Sequence, residues 1–196
     1  YGAITLPRAP ETLSGAGTEV KGARCPCPRA RQRLRPTRNH PGLIMKVAIA
    51  TSDYFVPGET FINRHIEHMF GGNTCVICGR HNGQDPYGKP LFVRRAKLSL
   101  ADTLTAPFHA ATGALMHGTS RLPFGAGRKA LARFLKDEQV DVILAEFGTQ
   151  ALVVASLGND LGIPVFTYWR GTDASKMLTS AQRVRSYRLM TPRLAG

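Results

Sequence analysis

Nowhere along the 196 residues do apolar side chains run for the ~18 to 20 consecutive positions that a membrane-spanning helix needs. The N-terminus also lacks the continuous apolar core of a signal peptide, so the chain is expected to stay in the cytoplasm. Cysteine is scarce and unevenly placed, at Cys25, Cys27, Cys75 and Cys78, which argues against a secreted disulfide scaffold. The first strand-like segment is not followed by a GxGxxG turn, and this counts against a dinucleotide-binding domain. Aromatic and basic residues do not interleave as in single-strand nucleic-acid binders, and no nucleic-acid motif is present.

What the chain does have is positive charge, +13 in formal terms, and its distribution matters more than its sum. Residues 1–44 hold eight Lys or Arg against Glu11 and Glu19, a net +6, together with six of the thirteen prolines. Neither a helical nor a strand period runs through this segment, so it is expected to be disordered and to lie upstream of a natural start at Met45. A basic arm gripping phosphates or acidic lipid is the alternative use for it. The remaining residues carry 18 basic and 11 acidic side chains, an excess of +7. That moderate excess suits work beside an anionic membrane surface or a phosphate-bearing ligand. A basic nucleic-acid-binding α/β module is the rival that charge alone would favour.

From Met45 the pattern alternates between short apolar runs and helical periods. Lys46 to Thr51 predicts a strand, with Asp53, Pro57 and Gly58 as its turn. Glu59 to Phe70 places Phe61, Ile62, Ile66, Met69 and Phe70 at helical spacing, stopped by Gly71 and Gly72. Strands are expected at 74–79, 91–95, 141–148 and 165–169, and helices at 101–117, 126–138, 149–161 and 180–190. Gly148 is read as the residue that lets the backbone turn sharply into a helix, and Gly162 as the cap at that helix's end. Strands alternating with helices at this spacing predict an α/β domain with a doubly wound, mostly parallel sheet over residues 45–196.

In such a sheet the ligand crevice lies beyond the carboxyl ends of the strands. Three loops placed there are polar: SDYFVPGETF (52–61), AEFGT (145–149) and WRGTDAS (169–175). Arg170 offers a planar fork for a phosphate or a sugar hydroxyl, and Glu59, Glu146 and Asp173 offer acceptors for hydroxyls. Capping duties compete with these roles: Asp173 for the helix that follows it, Thr149 for its own, and Glu59 as a favourable first-turn charge. Three other features read as structural. His65 and His68, three apart on the first helix, lack a third ligand and read as surface residues. Cys75 and Cys78 have metal-ligand spacing, but a strand would point them to opposite faces. Arg183, Arg185 and Arg188 on the last helix read as a solvated face, with contact to anionic lipid as the minority reading.

The segments PGETFINRHIEHM (57–69), DVILAEFG (141–148) and GIPVFTYWRGTDAS (162–175), in this order and spacing, resemble the N-terminal half of the GT-B fold glycosyltransferases of family four. The likeness is closest to bacterial members that build exopolysaccharide or lipopolysaccharide, and it covers roughly residues 45–196. It implies a Rossmann-like domain that binds the acceptor, a glycan or a lipid-linked sugar, in a retaining enzyme. The donor would be a UDP- or GDP-linked nucleotide sugar, a substrate rather than a cofactor, with no metal required. On this resemblance Arg170 and Asp173 take part in the chemistry. Gly58, Glu59, Thr60, Phe61, Asn63 and Arg64 contact substrate at the acceptor pocket, and Glu146, Gly148 and Gly171 at the interdomain cleft. Relatives often carry histidines where this chain has Ala145 and Glu146, and many have a histidine where it has Arg170 before Gly171. The donor-binding half is expected to be missing beyond Gly196, leaving a fragment inactive by itself. No nucleic-acid partner is expected.

Overall fold

The computed structural model describes residues 45–94 and 100–195. The segment 1–44, and Arg95 at the end of the third expected strand, lie outside the described residues.

Five strands, β1 (Val47–Tyr54), β2 (Thr74–His81), β3 (Leu91–Val93), β4 (Val142–Glu146) and β5 (Val165–Tyr168), form one sheet in the order β3-β2-β1-β4-β5. Every neighbouring pair is parallel. Five α-helices accompany them: α1 (Thr60–His68), α2 (Leu100–His117), α3 (Gly125–Asp137), α4 (Gly148–Leu161) and α5 (Ala181–Met190). This is the doubly wound, Rossmann-like α/β architecture expected from the spacing of apolar runs.

The strands read as near-continuous apolar runs because both faces of the sheet are covered. Successive residues point to opposite sides, and each side closes its own half-core. Ala48, Ala50, Cys75, Ile77, Ile143, Ala145 and Val165 pack with Leu131 and Leu135 of α3, most of α4, and Tyr187 and Met190 of α5. Val47, Ile49, Val76, Cys78 and Leu144 pack on the other side with Ile62 and Ile66 of α1. Cys75 and Cys78 therefore do face opposite ways, and burial pushes their thiols up to about 12 and about 11 respectively. The run TQALVVASLGNDL has no polar face to speak of, and α4 accordingly has nine buried residues in the middle of one layer.

Two boundaries depart from expectation. β1 continues past Thr51 to Tyr54 and β2 past Gly79 to His81, so Asp53 lies in a strand and not in a turn. Asp53 pairs in register with Arg80 and Tyr54 with His81, beyond the point where β4 stops at its Ala50–Ala145 pairing. The extension is held by Arg80 Nε donating to Asp53 Oδ1 at 2.6 Å and by the Tyr54 hydroxyl donating to Asp85 at 2.5 Å. The second departure is at the end of α1, which stops at His68 and passes into a 3₁₀ turn over Met69–Gly72. Phe70 takes a positive φ there and is largely exposed instead of packing on the helix's apolar face. Gly162 ends α4 in the left-handed conformation, as its position predicts.

Candidate functional site

β1 has β2 on one side and β4 on the other, and the winding of the chain reverses between them. Because all five strands are parallel, the loops leaving β1, β4 and β5 open at one rim of the sheet. The three polar loops singled out in the sequence meet there.

Glu146 closes β4 and projects toward α1. It is fully buried, an unusual position for a carboxylate. One oxygen, Oε1, is bonded to His65 Nδ1, and the other, Oε2, has no hydrogen-bond partner. With the carboxylate ionised, Nδ1 is the donor, and Nε2 is left without a partner among the described residues. The His65 ring stacks on Tyr168 of β5, centroids 5.5 Å apart and planes 23° from parallel. Arg170, two residues on, lies 4.6 Å above the Tyr168 ring and 4.2 Å above that of Phe61 on α1. Phe61 in turn meets Phe147, after β4, edge to face at 6.2 Å. Arg170 makes no ion pair among the described residues. The result is a cation resting on two aromatic faces beside a half-buried histidine held by a buried carboxylate.

The backbone at this rim is unusual. Phe147 has φ +79° and ψ 145°, and Phe55 after β1 has φ +54°, both in territory that favours glycine. Non-glycine residues held there cost on the order of 1–3 kcal/mol each and concentrate at ligand sites. The sharp turn into α4 therefore falls on Phe147 and not on Gly148. Gly148 is required for a different reason: a Cβ there would come within 2.5 Å of the Trp169 ring.

The remaining expected site residues divide by exposure. Gly58, Thr60 and Arg64 are exposed at the start of α1, and Gly171 is exposed with φ +45°. Glu59 is half-buried, and its side chain makes no capping bond. Burial, and then the neighbouring Asp53 and Glu146 carboxylates, raise its pKa above the ordinary glutamate range. Asn63 is buried and donates from Nδ2 to the Val56 carbonyl at 3.0 Å, so it braces the β1–α1 loop. Asp173 is buried too. Its Oδ2 accepts from the Gly148 amide at 2.7 Å and its Oδ1 from the Tyr187 hydroxyl at 3.2 Å. Burial and the Asp173 charge push the Tyr187 phenol up to about 12, which keeps it a donor. Asp173 thus faces into the fold and caps α4, the helix before it in sequence, rather than the cleft or the helix after it.

Tyr168, Phe147 and Arg94 are not among the expected site residues, and His65, expected at the surface, is drawn into the rim by Glu146. His65 follows Phe61 by one helical turn, at the edge of the Ile62–Ile66 stripe, and that spacing was the available signal. Arg94 follows β3 and reaches under the rim, donating from Nη2 to the Thr51 carbonyl at 3.1 Å and to Gln150 Oε1 at 2.5 Å. Gln150 passes the chain of bonds on to Ser52 Oγ at 2.5 Å. These bonds tie the ends of β1 and β3 to the first turn of α4.

Among the described residues no three His, Cys, Asp or Glu side chains gather as metal ligands, and no helix is long and apolar enough to cross a membrane. Comparison of the chain with protein-family models, with curated proteins and with solved structures finds no match.

Proposed function

We propose that residues 45–196 form the acceptor-side domain of a retaining glycosyltransferase, which moves a sugar from a UDP- or GDP-linked donor onto a glycan or lipid-linked acceptor. The observation that carries this reading is the cluster of Phe61, His65, Glu146, Tyr168 and Arg170, drawn from α1, β4, β5 and the loop after it into one rim position. Aromatic faces suit the apolar side of a pyranose ring, and hydroxyls need fixed donors and acceptors beside them. His65, oriented by Glu146, presents Nε2 as an acceptor for a substrate hydroxyl, in the manner of a carboxylate-held imidazole. Arg170 supplies a planar cation where a diphosphate leaving group would gather charge. In this reading Asp173 is a positioning residue, acting through the first turn of α4.

Trp169 is the only tryptophan in the chain and sits beside Arg170, partly exposed at the same rim. Its fluorescence is therefore a direct reporter. UDP-glucose, GDP-mannose and short oligosaccharides are each titrated into the full chain. At least one is expected to shift or quench the emission saturably, and H65A and R170A are expected to weaken that response about tenfold, the loss of one good polar contact. A flat response to all three classes of probe, or a response that both variants leave intact, overturns the proposal.

A further inference from the structure

On the other side of the sheet from His65, a cavity of about 320 Å³ opens between the end of α2 and the starts of α4 and α5. Its wall includes Arg121, Arg183 and Arg185, with Ser120, Thr149 and Ser180 between them. Among the described residues no Asp or Glu lines it. None of the three arginines belongs to an ion pair among the described residues, although Arg183 reaches toward the Tyr187 ring at 5.9 Å. Three guanidinium groups around one hollow repel one another unless an anion sits between them. A helix end adds to the field. Ser180 caps the ten-residue α5 and accepts from the Arg183 amide at 3.4 Å, and Thr149 lies in the first turn of the fourteen-residue α4. α5 turns its positive end this way, while the first amide of α4 is already taken by the Asp173 carboxylate.

We propose that this cavity binds a phosphate-bearing group, a monoester or diphosphate gripped by Arg121, Arg183 and Arg185 at the head of α5. A single hollow of this size, at the low end for a small-ligand pocket, suits one compact anion better than the extended track a nucleic-acid backbone requires. The group can arrive free in solution or on a lipid. The lipid source has a structural basis in α2, whose Ala114 lines the cavity together with Gly118 just past its end, while the adjacent Leu115 and Met116, with Leu100, Leu104 and Phe108 farther up the helix, are exposed. Sugar transfer is not needed for this inference, and its test does not use the Trp169 rim.

Two arms separate the sources. In solution, calorimetry with sodium pyrophosphate and with glycerol 3-phosphate reads free anion binding. At a surface, co-sedimentation compares phosphatidylcholine vesicles with and without phosphatidic acid. The double variant R183A/R185A, and separately R121A, are expected to weaken binding on at least one arm by tenfold or more. R188A, on the same helix but outside the cavity wall, is expected to match the unaltered chain. Arginine-dependent binding of the free anions assigns the site to soluble phosphates, and dependence on the vesicle arm alone assigns it to a lipid headgroup. The proposal is overturned if neither arm shows binding, or if R188A costs as much as the cavity variants, since diffuse surface charge would then account for the effect.

Discussion

Glu59 illustrates how much of this rim is set by neighbours and not by residue type. Its carboxyl is half-buried beside Asp53 and Glu146, and its pKa is raised. A folded-state pKa above the unfolded value means that the folded chain holds the proton more tightly. Stability therefore falls as pH rises through the interval between the two values, and the full penalty persists above it. E59Q removes the titrating group while keeping its shape. The variant is expected to melt higher than the unaltered chain at pH 7, and the gap should close below about pH 4, where an ordinary glutamate is protonated anyway. Equal melting temperatures across that range would mean that Glu59 is solvated in the folded chain. Other residue roles were harder to read in advance. Gly148 reads as the residue that lets the backbone turn sharply into α4, yet the positive φ falls on Phe147, and the glycine makes room for Trp169. His65 looked like surface because a histidine at the edge of an apolar stripe is compatible with either side. Its partner Glu146 is 81 positions away, and local spacing carries no trace of such a pairing.

At the level of elements the sequence was far more legible, because helical and strand periods are local properties while side-chain partnerships are not. All five strands and all five helices fall where the apolar periods place them, with ends shifted by a few residues. The larger shift, at β1 and β2, has a physical cause. Ser52, Asp53, Arg80 and His81 are polar and read as loop, but beyond Ala50 the two strands continue as a ribbon with no β4 alongside. Residues of such a ribbon can face water, and the Asp53–Arg80 pair holds it by side chains instead of burial. Element caps are the places where local reading failed most instructively. Asp173 was assigned either to chemistry or to the helix after it, whereas it reaches back 25 residues to the Gly148 amide and takes the Tyr187 hydroxyl as well. D173A is expected to destabilise the chain by about 2 kcal/mol in urea unfolding, the scale of a buried charge-assisted hydrogen bond. Y187F, which loses only the hydroxyl, should cost about 1 kcal/mol. A D173A variant as stable as its parent would show that α4 does not need this cap.

The described residues form one sheet with two unequal coats. The side covered by α3, α4 and α5 has 18 buried residues in its half-core, and the side covered by α1 has 8. α1 is only nine residues long and anchors itself through Ile62 and Ile66, helped by the buried Asn63 brace. Since stability is distributed with buried apolar area, the α1 side should open at a lower free energy than the other, in a step short of global unfolding. The chain has a built-in probe on each side. Cys78 faces the α1 half-core and Cys75 the larger one, both are fully buried, and both thiols are held well above the ordinary cysteine range. In the native state at pH 8 neither should react with iodoacetamide, because thiolate and access are both lacking. As urea is raised below the unfolding midpoint, peptide mass spectrometry is expected to find Cys78 alkylated first, with Cys75 protected until the sheet itself comes apart. If Cys75 reacts first, the larger coat is the weaker one, and if the two react in step at every urea concentration, the sheet and both coats unfold as a single unit; either result overturns the prediction. In the second case the His65–Glu146 pair would be as rigid as the core beneath it. If Cys78 leads, the rim cluster that depends on α1 can loosen without loss of the fold, which is the freedom the proposed acceptor site would require between Phe61 and Tyr168.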